Sequence, residues 1–295
     1  DYYTLTNGGG TKLNAGDAIT SSQTLYVYAE TGTTPNCTNE NSFVVTINTT
    51  PTADSPSDLT ICDSYSLPVL SVGDYYTLTN GGGTKLNTGD AITSTQTLYV
   101  YAETGTTPNC TNENSFVVTI NTTPTADNPS DVTICDSYSL PALSVGDYYT
   151  LTNGGGTKLN AGDAITSTQT LYVYAETGTA PNCTNENSFV VTINTTPTAD
   201  SPSDLTICDS YSLPALSVGD YYTLTNGGGT KLNAGDAITS SQTLYVYAES
   251  GSTPNCKNEN SFVVTINTTP TADSPSDVTI CDSYSLPALS VGDYY

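Results

Sequence analysis

The chain has 295 residues and a formal net charge of −24, with 29 Asp and Glu against five Lys and no His, Arg, Met or Trp. A surface this acidic excludes partners that present phosphates, because nucleic acid and anionic lipid are held by Lys and Arg. No apolar run nears the roughly 18 residues that span a bilayer, and 22 Tyr with abundant Val, Ile and Thr set the chain apart from acidic disordered sequences and predict a folded, all-β protein.

The elements recur. The string DYYTLTNGGGT begins at Asp1, Asp74, Asp147 and Asp220, so each start follows the last by 73 (74 − 1, 147 − 74, 220 − 147), and a further copy opens at Asp293. A period of this size exceeds the usual solenoid turn of about 20–45 residues and suits one small β-sandwich per repeat, strung like beads into a filament. The segment TPTADSPSD at 50–58 and its copies combine two prolines with small and acidic residues, and they read as linkers. Complete domains are then expected at 52–124, 125–197 and 198–270, flanked by partial repeats at 1–51 and 271–295. The chain starts at Asp1 with no leader, so both ends read as cuts through a longer protein.

Within 52–124, Asp58–Cys62 alternates and forms the first strand, with Leu59 and Ile61 on one face. A short turn at Asp63 and Ser64 leads into Tyr65–Leu70, where Pro68 cannot donate to a ladder and marks an edge or a bulge. Asp74–Thr79 follows. Asn80 and the three glycines after it predict a hairpin, since these residues accept the positive φ of primed turns, and Thr84–Leu86 returns. Ala91–Thr93 is a short strand. Thr97–Glu103 alternates with Leu98, Val100 and Ala102 inward and Tyr99 and Tyr101 outward. Thr104–Asn114 reads as a loop, and Ser115–Asn121 as a last strand with Phe116, Val118 and Ile120 inward. About seven short strands with frequent turn signals is the pattern of an Ig-like sandwich. First and last strands of such a sandwich run the same way.

TICDSYSLPAL (133–143), TQTLYVYAETGT (168–179) and PNCTNENSFVVTIN (181–194) together resemble the repeated Ig-like modules of giant surface proteins of flavobacteria and other Bacteroidota. Those proteins are similar to gliding-motility adhesins, and many are exported by the type IX system. The resemblance covers every repeat. It implies an extracellular, cell-surface stalk or adhesive filament used for attachment or gliding, with no catalytic motif, hence not an enzyme.

Eight regularly spaced Cys without His point to disulfides rather than zinc, and so to an oxidising, exported setting. Three pairings preserve the repeat. The two-Cys pattern of the resembled modules favours bonds within a domain: Cys62–Cys110, Cys135–Cys183 and Cys208–Cys256. A second option is Cys37–Cys62 and its copies, spanning a whole last strand and the linker. The third follows from topology: the first turn near Cys62 sits where its domain exits, and the loop holding Cys183 sits where the next domain begins. Cys62–Cys183 and Cys135–Cys256 would then staple neighbours. Loop entropy does not choose among them, since its cost grows only with the logarithm of length.

Other residue patterns offer further candidate chemistry. Lys12, Lys85, Lys158 and Lys231 recur once per repeat and could form isopeptide bonds if buried. Leu86 is the inward neighbour, so Lys85 is expected in water. Asp54, Asp58, Asp127, Asp131, Asp200 and Asp204, with Asp273 and Asp277, flank the linkers and are calcium candidates, although no D-x-D-x-D-G spacing occurs. The triple glycine at 8–10 and its copies lacks the GK[ST] ending of a phosphate loop. Asn36-Cys-Thr38, Asn48-Thr-Thr50 and their copies have the form of N-glycosylation sequons, and the Thr- and Ser-rich faces could carry O-linked sugars. Outward Tyr26, Tyr28, Tyr99 and Tyr101 offer faces to glycans or neighbouring chains. The expected partners are adjacent repeats, other copies in a filament and surface glycans. The rival readings are a carbohydrate-binding module repeated for avidity and the stalk of a secreted enzyme.

Overall fold

The computed structural model describes residues 1–295 and consists of 25 β-strands with no helix; in particular, no helix is long and apolar enough to cross a membrane. Two compact units form, one of residues 1–125 with 176–185 and the other of 126–175 with 186–295.

In the first unit, β1 (Tyr2–Leu5), β2 (Gly9–Leu13), β3 (Gln23–Glu30) and β4 (Thr38–Val45) form a sheet ordered β2-β1-β3-β4. A complete repeat follows: β5 (Leu59–Cys62), β6 (Tyr65–Ser66), β7 (Asp74–Leu78), β8 (Gly82–Leu86), β9 (Ala91–Ile92), β10 (Gln96–Glu103) and β11 (Thr111–Asn121). Five of these strands make one sheet, ordered β5-β11-β10-β7-β8, and β6 with β9 makes a second, small one. The seven-stranded sandwich matches the sequence expectation. β5 runs parallel to β11, pairing Leu59 with Val118 and Cys62 with Asn121, so first and last strands share a direction.

The inward alternation places Leu98, Val100, Ala102, Phe116 and Val118 in the core with Leu67, Tyr75 and Ile92, while Leu59 and Ile120 pack against it. Tyr75 tilts against Phe116 with ring centroids 6.1 Å apart. On the outer face Tyr101 meets Tyr76 edge-on, at 6.0 Å. The hairpin forms as its composition requires. Asn80 and Gly81 have φ of 58° and 63°, and the Gly82 amide donates to the Thr79 carbonyl at 3.1 Å, which is a type I′ turn. A Cβ on Gly81 would also lie 3.0 Å from the Tyr101 ring.

Three local readings are corrected. The strand expected over Tyr65–Leu70 stops at Ser66, because Pro68 has no amide to continue the ladder. The loop expected over Thr104–Asn114 ends early, with β11 beginning at Thr111. Its polar side chains are engaged: Asn112 Oδ1 accepts the Ala53 amide at 3.0 Å and Asn114 Nδ2 donates to the Ala53 carbonyl at 2.8 Å. Glu113 accepts the Asn80 amide of the hairpin. The segment read as a linker has no strand over 50–58, yet Ala53 within it is 3% exposed and belongs to the core.

The second unit carries the next two copies except for residues 176–185, which fall with the first. They comprise β12 (Val132–Cys135), β13 (Tyr138–Ser139), β14 (Asp147–Leu151), β15 (Gly155–Leu159), β16 (Ala164–Ile165), β17 (Gln169–Glu176) and β18 (Thr184–Asn194), then β19 (Leu205–Cys208), β20 (Tyr211–Ser212), β21 (Asp220–Leu224), β22 (Gly228–Leu232), β23 (Ala237–Ile238), β24 (Gln242–Glu249) and β25 (Lys257–Asn267). Strand order repeats in both. Each has its own core, around Phe189 and Phe262 respectively. Each core gathers only nine fully buried residues, so each residue matters. Leu244→Ala, at a site with no exposure, is expected to cost about 2–5 kcal/mol. Leu224→Ala, 61% exposed, is expected to cost less than about 0.5 kcal/mol. Urea denaturation of the two variants checks the contrast.

Candidate functional site

No cleft holds a group of three or more His, Cys, Asp or Glu side chains able to bind a metal. What recurs instead, with the same partners each time, is a cluster where the end of one repeat meets a loop of the next. It is built from three pieces of chain.

The parallel pairing of β5 with β11 delivers Cys62 beside Asn121, at the end where the chain leaves the repeat. Asp63, with φ of 60°, turns the backbone there. Its amide donates to the Asn121 carbonyl at 2.9 Å. Its carboxylate accepts the Thr123 amide at 2.8 Å and the Thr123 hydroxyl at 2.6 Å. Asn121 Nδ2 then reaches forward to Thr179 Oγ1 and the Pro181 carbonyl, both at 3.4 Å. The loop around Cys183 is closed on itself, the Thr177 amide donating to the Cys183 carbonyl at 3.1 Å and the Cys183 amide to Thr177 Oγ1 at 3.0 Å. These contacts bring Cys62 and Cys183 together as a disulfide with Cα atoms 5.7 Å apart.

The second unit repeats the arrangement with Cys135–Cys256. Asp136 accepts from Thr196, and Asn194 Nδ2 donates to the Pro254 carbonyl at 3.2 Å. Cys183 and Cys256 are 2% and 1% exposed, while their partners Cys62 and Cys135 are half-buried.

The pairing within a domain is thereby corrected. Cys62 and Cys110 are not joined, nor are Cys135 and Cys183 or Cys208 and Cys256; Cys110 and Cys208 are free thiols, as are Cys37 and Cys281. The chain-entropy model gives about 5 kcal/mol for a loop the size of the observed one and about 4 kcal/mol for one inside a repeat, too small a difference to decide. Strand direction decides, because it puts the turn cysteine and the loop cysteine at opposite ends of their own repeat. Cys110 confirms the register even without a partner. Its Sγ lies 3.7 Å from the Asn48 carbonyl, just as Cys183 Sγ lies 3.8 Å from that of Asn121 and Cys256 Sγ 3.6 Å from that of Asn194.

The remaining candidates fall elsewhere. Lys85 is half exposed and pairs with Asp74 at 2.8 Å, as Lys12, Lys158 and Lys231 pair with Asp1, Asp147 and Asp220; the hydrogen bond that Lys85 donates to the Asp74 carboxylate raises its pKa. Asp54, Asp127 and Asp200 accept the amides of Ser71, Ser144 and Ser217. Asp58, Asp131 and Asp204 accept those of Val117, Val190 and Val263, each at 2.7 Å. These carboxylates therefore tie the linker to the sandwich. The sequon amides are also engaged: Asn48 Nδ2 bonds Thr106 Oγ1 at 2.8 Å and the Pro108 carbonyl at 2.9 Å, and Asn36 Nδ2 bonds Glu30 at 2.9 Å. Sequence reasoning missed the Asp63–Thr123 and Asn121–Pro181 contacts. The signal available was an Asp directly after each turn cysteine and an Asn closing each last strand.

No protein-family model and no curated protein matches the chain. Among similar solved structures are mouse cadherin-23 EC22-24 (12% identity, 73% of this chain and 96% of that one, TM-score 0.25) and Drosophila N-cadherin EC1-4 (10%, 90% and 89%, 0.26). A third is a Ca2+-stabilized adhesin that helps an Antarctic bacterium reach out and bind ice (14%, 83% and 82%, 0.28). Identities and TM-scores this low carry no function to this chain, and the fold stands on its own strands and cores.

Two measurements check the junction. Non-reducing peptide mapping is expected to recover Cys62 linked to Cys183 and Cys135 linked to Cys256. The Thr196 hydroxyl and then its amide lower the Asp136 pKa from 3.8. A carboxyl depressed in the folded state stabilises above its unfolded pKa, and that contribution is lost as pH falls through the folded value. Stability should therefore decline below about pH 4, and Asp136→Asn should flatten that acid limb in chemical denaturation followed from pH 6 to pH 2.

Proposed function

We propose that the chain is part of an extracellular structural stalk or fibre of a bacterial surface adhesin, in which the repeat itself is the working element. The observation that carries this reading is the junction. The same Cys, Asp, Asn and Pro contacts recur a repeat apart, and side-chain chemistry is devoted to joining neighbours. The disulfides fit an oxidising, extracellular setting. The proposed folding units are 52–124, 125–197 and 198–270, with 1–51 and 271–295 as parts of two more. Each of the three core clusters draws all its members from within one of these spans.

The resemblance of 133–143, 168–179 and 181–194 to flavobacterial surface modules supports a Bacteroidota source, type IX export and a part in attachment or gliding. Partners in this reading are neighbouring repeats of the same chain and further copies in a fibre. This reading needs no calcium, because each of the six linker carboxylates already ties the linker to the sandwich by accepting a backbone amide through one oxygen. Chelation with EDTA is expected to move the melting temperature by less than about 1 °C, since no binding energy is linked to folding; a fall of several degrees would restore the ion.

The rival is a glycan-binding module acting by avidity. A glycan array probed with residues 1–295 separates the two: the stalk reading expects no bound sugar, and selective retention of one glycan class would replace it. Electron microscopy of native material, showing thin strands, is the complementary positive test.

A further inference from the structure

The two disulfides overlap. Cys135 lies between Cys62 and Cys183, and Cys183 lies between Cys135 and Cys256. Along the backbone alone, Cys62 and Cys256 have a sequence separation of 194 (256 − 62). The route through both bonds needs only the stretch from Cys135 to Cys183, a separation of 48 (183 − 135). Fully extended at about 3.5 Å per residue, the first route reaches about 680 Å and the second about 170 Å.

The pairing has a simple translation rule. Each turn cysteine bonds the loop cysteine at a sequence separation of 121. The next turn cysteine follows that loop cysteine closely, as Cys208 follows Cys183 at a separation of 25 (208 − 183). Wherever the repeat continues under this rule, the shortest covalent route crosses two repeats through one disulfide and one such short segment. Two of these routes interleave, so each junction is crossed once by peptide and once by sulfur. The segment from Cys183 to Cys208 is made mostly of strand and pinned linker. Thr184–Asn194 is strand β18, Ala199 is 2% exposed and tied to Asn258 at 3.0 Å, and Leu205–Cys208 is strand β19 on β25.

We propose that the overlapping disulfides carry tension past the folded cores, making the array a strain-limited cable whose repeats cannot be pulled out to full length. This deepens the stalk reading and rests on it for its biological sense. The pieces under tension are the last strand and the pinned linker of a repeat. In a longer array the hairpins, β10 and its copies lie off these routes; in residues 1–295 the taut route also runs from Cys135 to Cys183, so the hairpin and β17 of that one repeat bear load while those of the other two complete repeats do not.

Single-molecule stretching of residues 1–295 by its ends tests the proposal. Cys37, Cys110, Cys208 and Cys281 are replaced by Ser, so that only the four bonded cysteines remain. Final length reads covalent connectivity, whatever the order in which the cores give way. Without reductant the chain should stop at about half the extension of the same chain in dithiothreitol, a roughly two-fold difference. Adding Cys62→Ser and Cys183→Ser leaves one bond and should give an intermediate length. Equal lengths with and without reductant would overturn the load path. So would a gain on reduction worth only the chain between Cys135 and Cys183, which is what a bond within one repeat would release. Either result leaves the stalk reading untouched, whereas a sugar retained on the glycan array would displace the stalk reading and leave the stretching result standing.

Discussion

Leu59–Cys62 and Val118–Asn121 lie side by side and run in the same direction. Most of what distinguishes this protein depends on that parallel pairing. A small sandwich needs its first strand on the sheet edge to cover the core. Laying it parallel to the last strand sends its turn to the end where the chain departs. The turn then carries Cys62 and Asp63 into contact with the outgoing Asn121 and Thr123. The loop between β17 and β18, at the far end of its own repeat, meets them there. Had the first strand run antiparallel to the last, the same cysteines would face the opposite way and the neighbour would be out of reach.

Much of this was legible in the residues. Alternation in Thr97–Glu103 and Ser115–Asn121 fixes which side chains enter the core, since strand side chains alternate strictly between faces, and Asn80-Gly81 fixes the hairpin. The polar run Thr111–Asn114 misleads because hydrophobicity is the wrong guide for a strand whose Asn and Glu side chains hold other backbone segments. The linker misleads for a related reason: Ala53 is small and flanked by Thr and Asp, and nothing in its immediate sequence shows that Asn112 and Asn114 grip it. Cysteine connectivity was open on spacing alone and favoured the wrong pairing by analogy. Strand direction, which the seven-strand pattern already implied, held the answer.

The stability of such an array is spread between small cores and covalent joins. Each core has one buried Phe and one buried Tyr among its nine members, near the size where a domain is marginal alone. The disulfides add order without enlarging the core, and the Asp and Asn contacts hold the same pieces of chain together beside them. The net charge of −24 acts at a different range. It keeps near-identical repeats from pairing edge to edge with one another, a hazard that repetition of sequence would otherwise raise.

The self-closed loop around each second cysteine has a consequence for how the protein is made. Its hydrogen bonds hold Cys110 in the bonding pose although Cys110 has no sulfur partner. The receptor half of the junction is therefore held by its own loop together with Asn48 of the preceding repeat, whose side-chain amide donates to Thr106 and Pro108, and it is in place before any sulfur bond forms. As the chain emerges from its N-terminus, a turn cysteine waits for 121 residues until the matching loop has folded, and by then the following turn cysteine is already exposed. Bond closure can therefore only follow the order in which the repeats reach an oxidising compartment, lagging the leading end by more than one repeat.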